Sequence, residues 1–222
     1  MNYNKDSCFH EAIVKLKDYV EKYVNTIENL EIEIRIGYIE DDEFKTDIGK
    51  EFFDKIMNRL YETNENTWSS INNECCEDYF YNGRRMSVYD KKSMCIKKVK
   101  LAVFDFTFEG SGFDVRVSFS KELPSNKFSK NLATYKRTKN RTSFNHKHLC
   151  FDLTKVTMED NTIENHLFEI EIECKNTNDI FKNMTSHYFI HDMLLKAKDL
   201  VEMCEPLETD EPKLLFVKQK IY

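Results

Sequence analysis

The chain has 222 residues, 41% hydrophobic and 13% aromatic, with 5 glycines and 3 prolines. That length can bury a real core, and so little Gly and Pro excludes a collagen-like or linker-rich protein. A formal net charge of -6 excludes a globally basic nucleic-acid binder, so any contact with a polyanion has to be local.

In chain order, residues 7–26 read as a helix, because Phe9, Ile13, Leu16, Val20 and Tyr23 or Val24 recur every three to four positions on one face. A strand is expected over 29–39, an acidic loop over 40–43 and a second amphipathic helix over 48–61, with Phe52, Phe53, Ile56, Met57 and Leu60 on its apolar face. From Thr67 to Glu173 the pattern turns to short alternating segments separated by turn signals. Strands are expected at 79–81, 85–89, 95–106, 114–122, 132–144, 149–156 and 167–174, which with the first makes about eight, mostly antiparallel. Residues 178–204 read as a closing helix, and 205–222 as a tail or linker toward a further domain. The expected organisation is therefore one domain over 1–204 followed by that tail.

Two strands carry glutamate ladders: Glu31-Ile-Glu33-Ile-Arg35 and Glu169-Ile-Glu171-Ile-Glu173. Successive side chains of a strand point to opposite faces, so each ladder gathers its carboxylates on one face and its isoleucines on the other. Massed carboxylates repel unless a cation answers them. Two ladders facing one cavity would make an all-oxygen site for a hard divalent metal such as Mg²⁺ or Mn²⁺. Other strands also alternate polar with apolar: Asp114, Arg116, Ser118, Ser120 and Glu122; Arg137, Lys139 and Arg141; Asp152 and Thr154; Arg85 and Ser87. Strand by strand, this fits an open sheet with a solvated polar face. Taken together it also fits a closed barrel with a charged lumen and helices outside, which is the α+β architecture expected here.

The seven cysteines form no C-x-x-C pair and read as reduced thiols of a cytosolic protein. No signal-peptide core and no membrane-spanning apolar run is evident, so a soluble, cytoplasmic protein without a membrane partner is expected. His146 and His148 are expected on a solvated turn, His187 and His191 in packing or at the surface, and Trp68 in the core.

Glu-x-Glu-x-Arg in an early strand and Glu-x-Glu-x-Glu in a late one resemble the triphosphate tunnel metalloenzymes. The stretches Asp114-Val-Arg-Val-Ser-Phe-Ser-Lys-Glu122, Arg137-Thr-Lys-Asn-Arg141 and Asp152-Leu-Thr-Lys-Val156 look like the matching strands of the fungal and viral RNA triphosphatases. The chain is most similar to the N-terminal triphosphatase domain of giant-virus capping enzymes. The resemblance spans roughly Glu31 to Glu173.

What it implies is a closed antiparallel tunnel of about eight strands. It also implies metal-dependent removal of the γ-phosphate from 5′-triphosphate RNA, the first step of mRNA capping, with nucleoside triphosphates as further substrates. Glu31, Glu33 and Glu173 would ligate Mg²⁺ or Mn²⁺. Glu171, counted with that metal set, and Glu169 would hold metal-bound water or neighbouring cations. Arg85, Lys139 and Arg141 would bind phosphate, with Arg35, Lys98, Arg116 and Arg137 in support. Glu122 would position the attacking water, and Asp152 and Thr154 would organise the site. Guanylyltransferase and methyltransferase domains would follow in the full-length chain, and a viral protein would work in a viral factory or virion.

Two points depart from the pattern or stay open. Cys150 stands where the family often has an arginine, and a bulge could exchange the faces of Lys97 and Lys98. No aromatic stacking motif is evident on a basic strand, so weak RNA sequence preference is expected. The alternatives are a tunnel enzyme acting on small triphosphates, of the thiamine-triphosphatase, polyphosphatase or class IV adenylyl cyclase kind, and a non-catalytic binding barrel. The small-molecule enzymes usually carry Glu-x-Glu-x-Lys at the extreme N-terminus. Here a helix precedes the first ladder and Arg35 replaces the lysine.

Overall fold

The computed structural model describes residues 8–160, 163–174, 181–182, 184–205, 207 and 213–222. Helix α1 (His10–Thr26) leads into β1 (Leu30–Glu40) and the short β2 (Glu43–Lys45), and α2 (Lys50–Glu62) follows. Then come β3 (Ser70–Tyr81), β4 (Arg84–Val88), β5 (Ser93–Phe108), β6 (Asp114–Pro124), β7 (Tyr135–His146), β8 (Leu149–Asp160) and β9 (Ile163–Cys174). Helix α3 (Ser186–Cys204) and β10 (Leu214–Ile221) complete the described chain.

Eight strands close on themselves in the order β1-β6-β5-β4-β3-β7-β8-β9, and every neighbouring pair is antiparallel. The ring leaves β2 and β10 as additions, on β1 and β5 respectively. Asn82 and Gly83 both take positive φ at the β3–β4 hairpin, the backbone a two-residue turn of this hand requires. Gly37 is needed for another reason. A Cβ there would lie 2.0 Å from the Lys45 carbonyl oxygen, so only glycine lets β1 accept β2 at this distance.

The apolar core lies outside the barrel. Ile32, Ile34 and Ile36 of the first ladder and Ile170 and Ile172 of the second are all buried in it. They pack with Leu16 and Val20 of α1, Ile56 of α2, and Phe189, Met193 and Leu194 of α3. Strand β5 joins this face through a bulge between Lys100 and Ala102. Before the bulge Lys98 faces inward; after it Phe104 and Phe106 face outward and are fully buried. Without the extra residue those rings would share the Lys98 face, because strand side chains alternate strictly.

Several sequence expectations are corrected. The closing helix begins at Ser186, with the Thr185 side chain accepting from the Tyr188 N–H; its expected start at 178–180 lies outside the described residues. Strand β3 starts at Ser70 rather than 79, since the polar run before Glu77 gave no alternation of apolar residues to read. The expected acidic loop is the turn Asp41-Asp42 between β1 and β2, a short strand not foreseen, and part of the expected tail is β10, which buries Leu214 against β5. The turn expected at His146 and His148 is present at Lys147-His148, but of the three residues only Lys147 is exposed. His146 Nδ1 lies 2.7 Å from the Thr67 carbonyl oxygen. Trp68 is only partly buried, its Nε1 donating to the Leu60 carbonyl at 3.0 Å.

Phe104 ties the barrel to α1: it is fully buried, edge-on to Tyr19 at 4.8 Å and to Phe119 at 6.0 Å. Phe104→Ala should cost about 3–5 kcal/mol, as truncation of a buried phenylalanine does, and lower the urea midpoint at unchanged m-value.

Candidate active site

The two ladders become neighbours in the ring. Glu33 is the cross-strand partner of Glu173, and Arg35 of Glu171. Like charges set opposite one another repel, so the arrangement needs cations within reach. Lys98 bridges Glu31 and Glu33 at 2.5 and 3.3 Å. Arg35 reaches Glu171 at 2.6 Å and Glu33 at 3.2 Å. Arg141 binds Asp152 at 2.7 Å, Thr154 Oγ1 at 3.0 Å and Glu171 at 3.2 Å. Ser120 donates to Glu31 at 2.5 Å, and Thr46 to Glu169 at 2.9 Å.

The titrations follow from this crowding. Burial alone would raise the Glu171 carboxyl, but Arg35 and Arg141, with Lys98 and Lys139, hold it well below the usual range. The same carboxylates raise Arg35 and Arg141 against the opposing effect of burial. Glu173 goes the other way. Burial, reinforced by Glu31, Asp152 and Glu171, pushes it up to about 8. Among the described residues no hydrogen bond or ion pair reaches its carboxyl group.

Opposite the ladders, β7 and β4 carry Arg137, Lys139, Arg141 and Arg85. Beneath them Asp78, fully buried, accepts from Ser87 at 2.5 Å, Lys139 at 2.9 Å and Arg137 at 3.2 Å. Burial lowers the Lys139 amine; Asp78 supports its charge, while Arg141, Arg85 and Arg137 oppose it. One carboxylate thus answers both Lys139 and Arg137, which leaves positive potential for an anion. Arg85 is held by Glu122 at 3.1 Å, and its Nε is buried without a hydrogen-bond partner. An unpaired donor of this kind fits a phosphate oxygen.

Twelve of the residues singled out from the sequence line one cavity of about 200 Å³: Glu31, Glu33, Arg35, Arg85, Lys98, Glu122, Arg137, Lys139, Arg141, Glu169, Glu171 and Glu173. Asp152 and Thr154 lie behind its wall, buried and bonded to Arg141. Arg116 is not part of this cavity. It is locked onto Asp105 at 2.7 and 2.9 Å and lines a separate cavity of about 480 Å³ with Phe44 and Lys218. The question of Lys97 and Lys98 is decided by the bulge, which falls after both and leaves Lys98 inward and Lys97 exposed. Cys150 does not leave a gap: its thiol donates to Asp152 at 3.1 Å, beside the bonds from Arg141 and Ser143. Asp78 and Asp105 escaped sequence reading. Neither lies in a ladder, and only cross-strand register sets them opposite Arg137 and Arg116.

Among the described residues no three His, Cys, Asp or Glu side chains already converge as a metal cluster. The chemistry of the donor set still fits a hard cation: Glu31, Glu33 and Glu173 offer oxygen alone, and Glu173 is a carboxylate short of positive charge. Lys98 and Arg35 presently supply that charge to the rest of the ladders.

The family model described as "mRNA capping enzyme, beta chain" matches residues 49–193. The mRNA-capping enzyme subunit beta of Schizosaccharomyces pombe is 34% identical over 112 residues, 49% of this chain and 33% of that protein, so the likeness spans about a third of the relative. In three dimensions the chain is similar to the S. pombe Pct1 RNA triphosphatase, with a TM-score of 0.74 at 19% identity over 86% of this chain and 92% of that one. The same protein in complex with the Spt5 CTD gives 0.74 at 18% identity, again over 86% and 92%. The Mimivirus capping enzyme triphosphatase gives 0.52 at 16%, over 86% of this chain and 97% of that one. These low-identity likenesses establish the tunnel fold.

The raised Glu173 carboxyl gives a signed expectation for metal-free protein. Folded, Glu173 keeps its proton to a pH of about 8; unfolded, only to about 4.3. Between those values the folded state holds more protons, so stability falls as pH rises through the window. In EDTA, Glu173→Gln should gain Tm over wild type as pH goes from about 5 to about 8.5. Parallel Tm profiles would refute the raised carboxyl.

Proposed function

The chain belongs to the mRNA capping enzyme beta-chain family, and on that premise we propose that its barrel hydrolyses the γ-phosphate of 5′-triphosphate RNA. The observation that carries this reading is the pairing, across one cavity of about 200 Å³, of two carboxylate ladders with a cluster of Arg and Lys. Carboxylates to hold a metal and cations to hold phosphate oxygens are what a metal-bound triphosphate needs.

Glu31, Glu33 and Glu173 would hold a divalent cation, Mg²⁺ or Mn²⁺, with Glu171 and Glu169 orienting its water. When bound, that cation supplies Lewis-acid polarisation of the phosphate oxygens. Arg85, Lys139 and Arg141 bind the phosphates and neutralise the charge that spreads over the γ-phosphoryl oxygens during transfer. Asp78 holds Lys139 and Arg137 in place from below, and Asp152 does the same for Arg141. Glu122, tied to Arg85 at 3.1 Å, would orient the attacking water and accept its proton. The bond from γ-phosphorus to its bridging oxygen breaks, leaving inorganic phosphate and a 5′-diphosphate RNA end. That end is an acceptor for guanylyl transfer, which a further capping domain or subunit would perform. Nucleoside triphosphates present the same three phosphates and would be secondary substrates.

The test is γ-phosphate release from 5′-triphosphate RNA with Mg²⁺ or Mn²⁺ and with EDTA. Glu33→Ala and Glu122→Gln should each lose about a hundredfold or more in kcat while keeping the wild-type circular dichroism spectrum. Metal-independent release, or a folded Glu33→Ala protein with normal turnover, would sink the assignment.

A further inference from the structure

At one rim of the barrel two aromatic rings are stacked where no core requires them. Phe80 at the end of β3 and Tyr135 at the start of β7 are cross-strand partners. Their centroids are 4.2 Å apart and their planes 7° from parallel. Neither ring belongs to the apolar core, and Tyr135 is 54% exposed. Strand alternation puts both on the face that carries Asp78, Arg137 and Lys139, the face that lines the cavity. They therefore form the next layer outward from the phosphate-facing cations. Arg137 joins them, its guanidinium 5.0 Å from the Phe80 centroid.

Arg84, over Tyr81 at 5.5 Å and Phe128 at 5.3 Å, and Lys130, over Tyr79 at 4.7 Å, edge the same end of β3 from its opposite face, where Glu77 pairs with Lys130 at 3.5 Å and with Lys136 at 2.8 Å. Because every pair in the ring is antiparallel, the ends of β3 and β5 and the starts of β6 and β7 share one mouth. Arg116 and Lys218, around the larger cavity, thus open on the same side as Tyr135.

We propose that this rim docks the RNA strand itself: a base of the first nucleotides stacks on Tyr135, and Arg137, beside the stack on the same face, meets the adjoining phosphates. The proposal rests on the triphosphatase reading, which puts the 5′ end one layer deeper. Stacking tolerates any base, since every base has a π-face. The platform therefore adds affinity for RNA over small triphosphates without sequence preference. On this proposal the stacking residue that no motif advertised is Tyr135, directly before Lys136 and Arg137 on β7.

The experiment compares Tyr135→Ala, Tyr135→Trp and wild type on a 5′-triphosphate oligoribonucleotide and on inorganic tripolyphosphate, which has no base. Tyr135→Ala should lose about tenfold in kcat/KM on the RNA, through KM, with tripolyphosphate unaffected and Tyr135→Trp near wild type. An unchanged KM on RNA, or an equal loss on both substrates, overturns the platform. If wild type turns over neither substrate, the hydrolysis reading fails by itself. Fluorescence anisotropy with a labelled 5′-diphosphate oligoribonucleotide then decides the platform: binding about tenfold weaker in Tyr135→Ala supports it, and equal binding overturns it.

Discussion

Repulsion between buried carboxylates is the constraint on which this structure turns. Glu33 and Glu171 are nearly inaccessible, 5% and 7% exposed, and lie among further glutamates of the same two strands. A cluster of this sign survives in a low-dielectric interior only when cations are placed against it. Lys98, Arg35 and Arg141 come from three different strands to do so. The balance is incomplete at Glu173, whose raised carboxyl marks where positive charge is still wanted. Across the cavity the incompleteness has the opposite sign: Asp78 is shared by Lys139 and Arg137, and Arg85 Nε is buried without a hydrogen-bond partner. On the proposed function, a metal-bound polyphosphate would carry both charges and answer both deficits.

Putting charge inside the ring forces the apolar core outside it. The isoleucines between the glutamates cannot face the lumen, so they need cover, and α1, α2 and α3 provide it. The helices thereby fix strand register. A slip of one residue in β1 or β9 would turn carboxylates into the core and isoleucines into the tunnel. The bulge in β5 serves the same partition, switching one long strand from presenting Lys98 inward to burying Phe104 and Phe106 outward. The chemistry of the site and the stability of the fold thus rest on one alternation of polar and apolar residues.

Rings and cations stand at both ends of the tunnel. Phe80, Tyr135 and Arg137 gather where β3 ends and β7 begins, and at the other end Tyr89, which lines the cavity, lies 4.7 Å from Lys92, itself paired with Glu74 at 3.9 Å. What sets the first end apart is the stack itself, two nearly parallel rings of which Tyr135 is more than half exposed.

Alternation was legible in the sequence by itself. Both glutamate ladders, the basic face of Arg137, Lys139 and Arg141, and the helices on either side of the strands follow from period-two and period-three-to-four patterns. These patterns depend only on neighbours along the chain. Closure into a ring was legible only as one of two options, because an open sheet has the same strand-by-strand pattern. What the tertiary structure decided was which residues face each other. The carboxylate of Asp78 under Lys139, Asp105 holding Arg116 apart from the cavity, Cys150 bonded to Asp152 and the Phe80–Tyr135 stack all arise from cross-strand register. Register is set by hydrogen bonds between segments far apart in sequence and by helices that cover them. No local pattern carries that information.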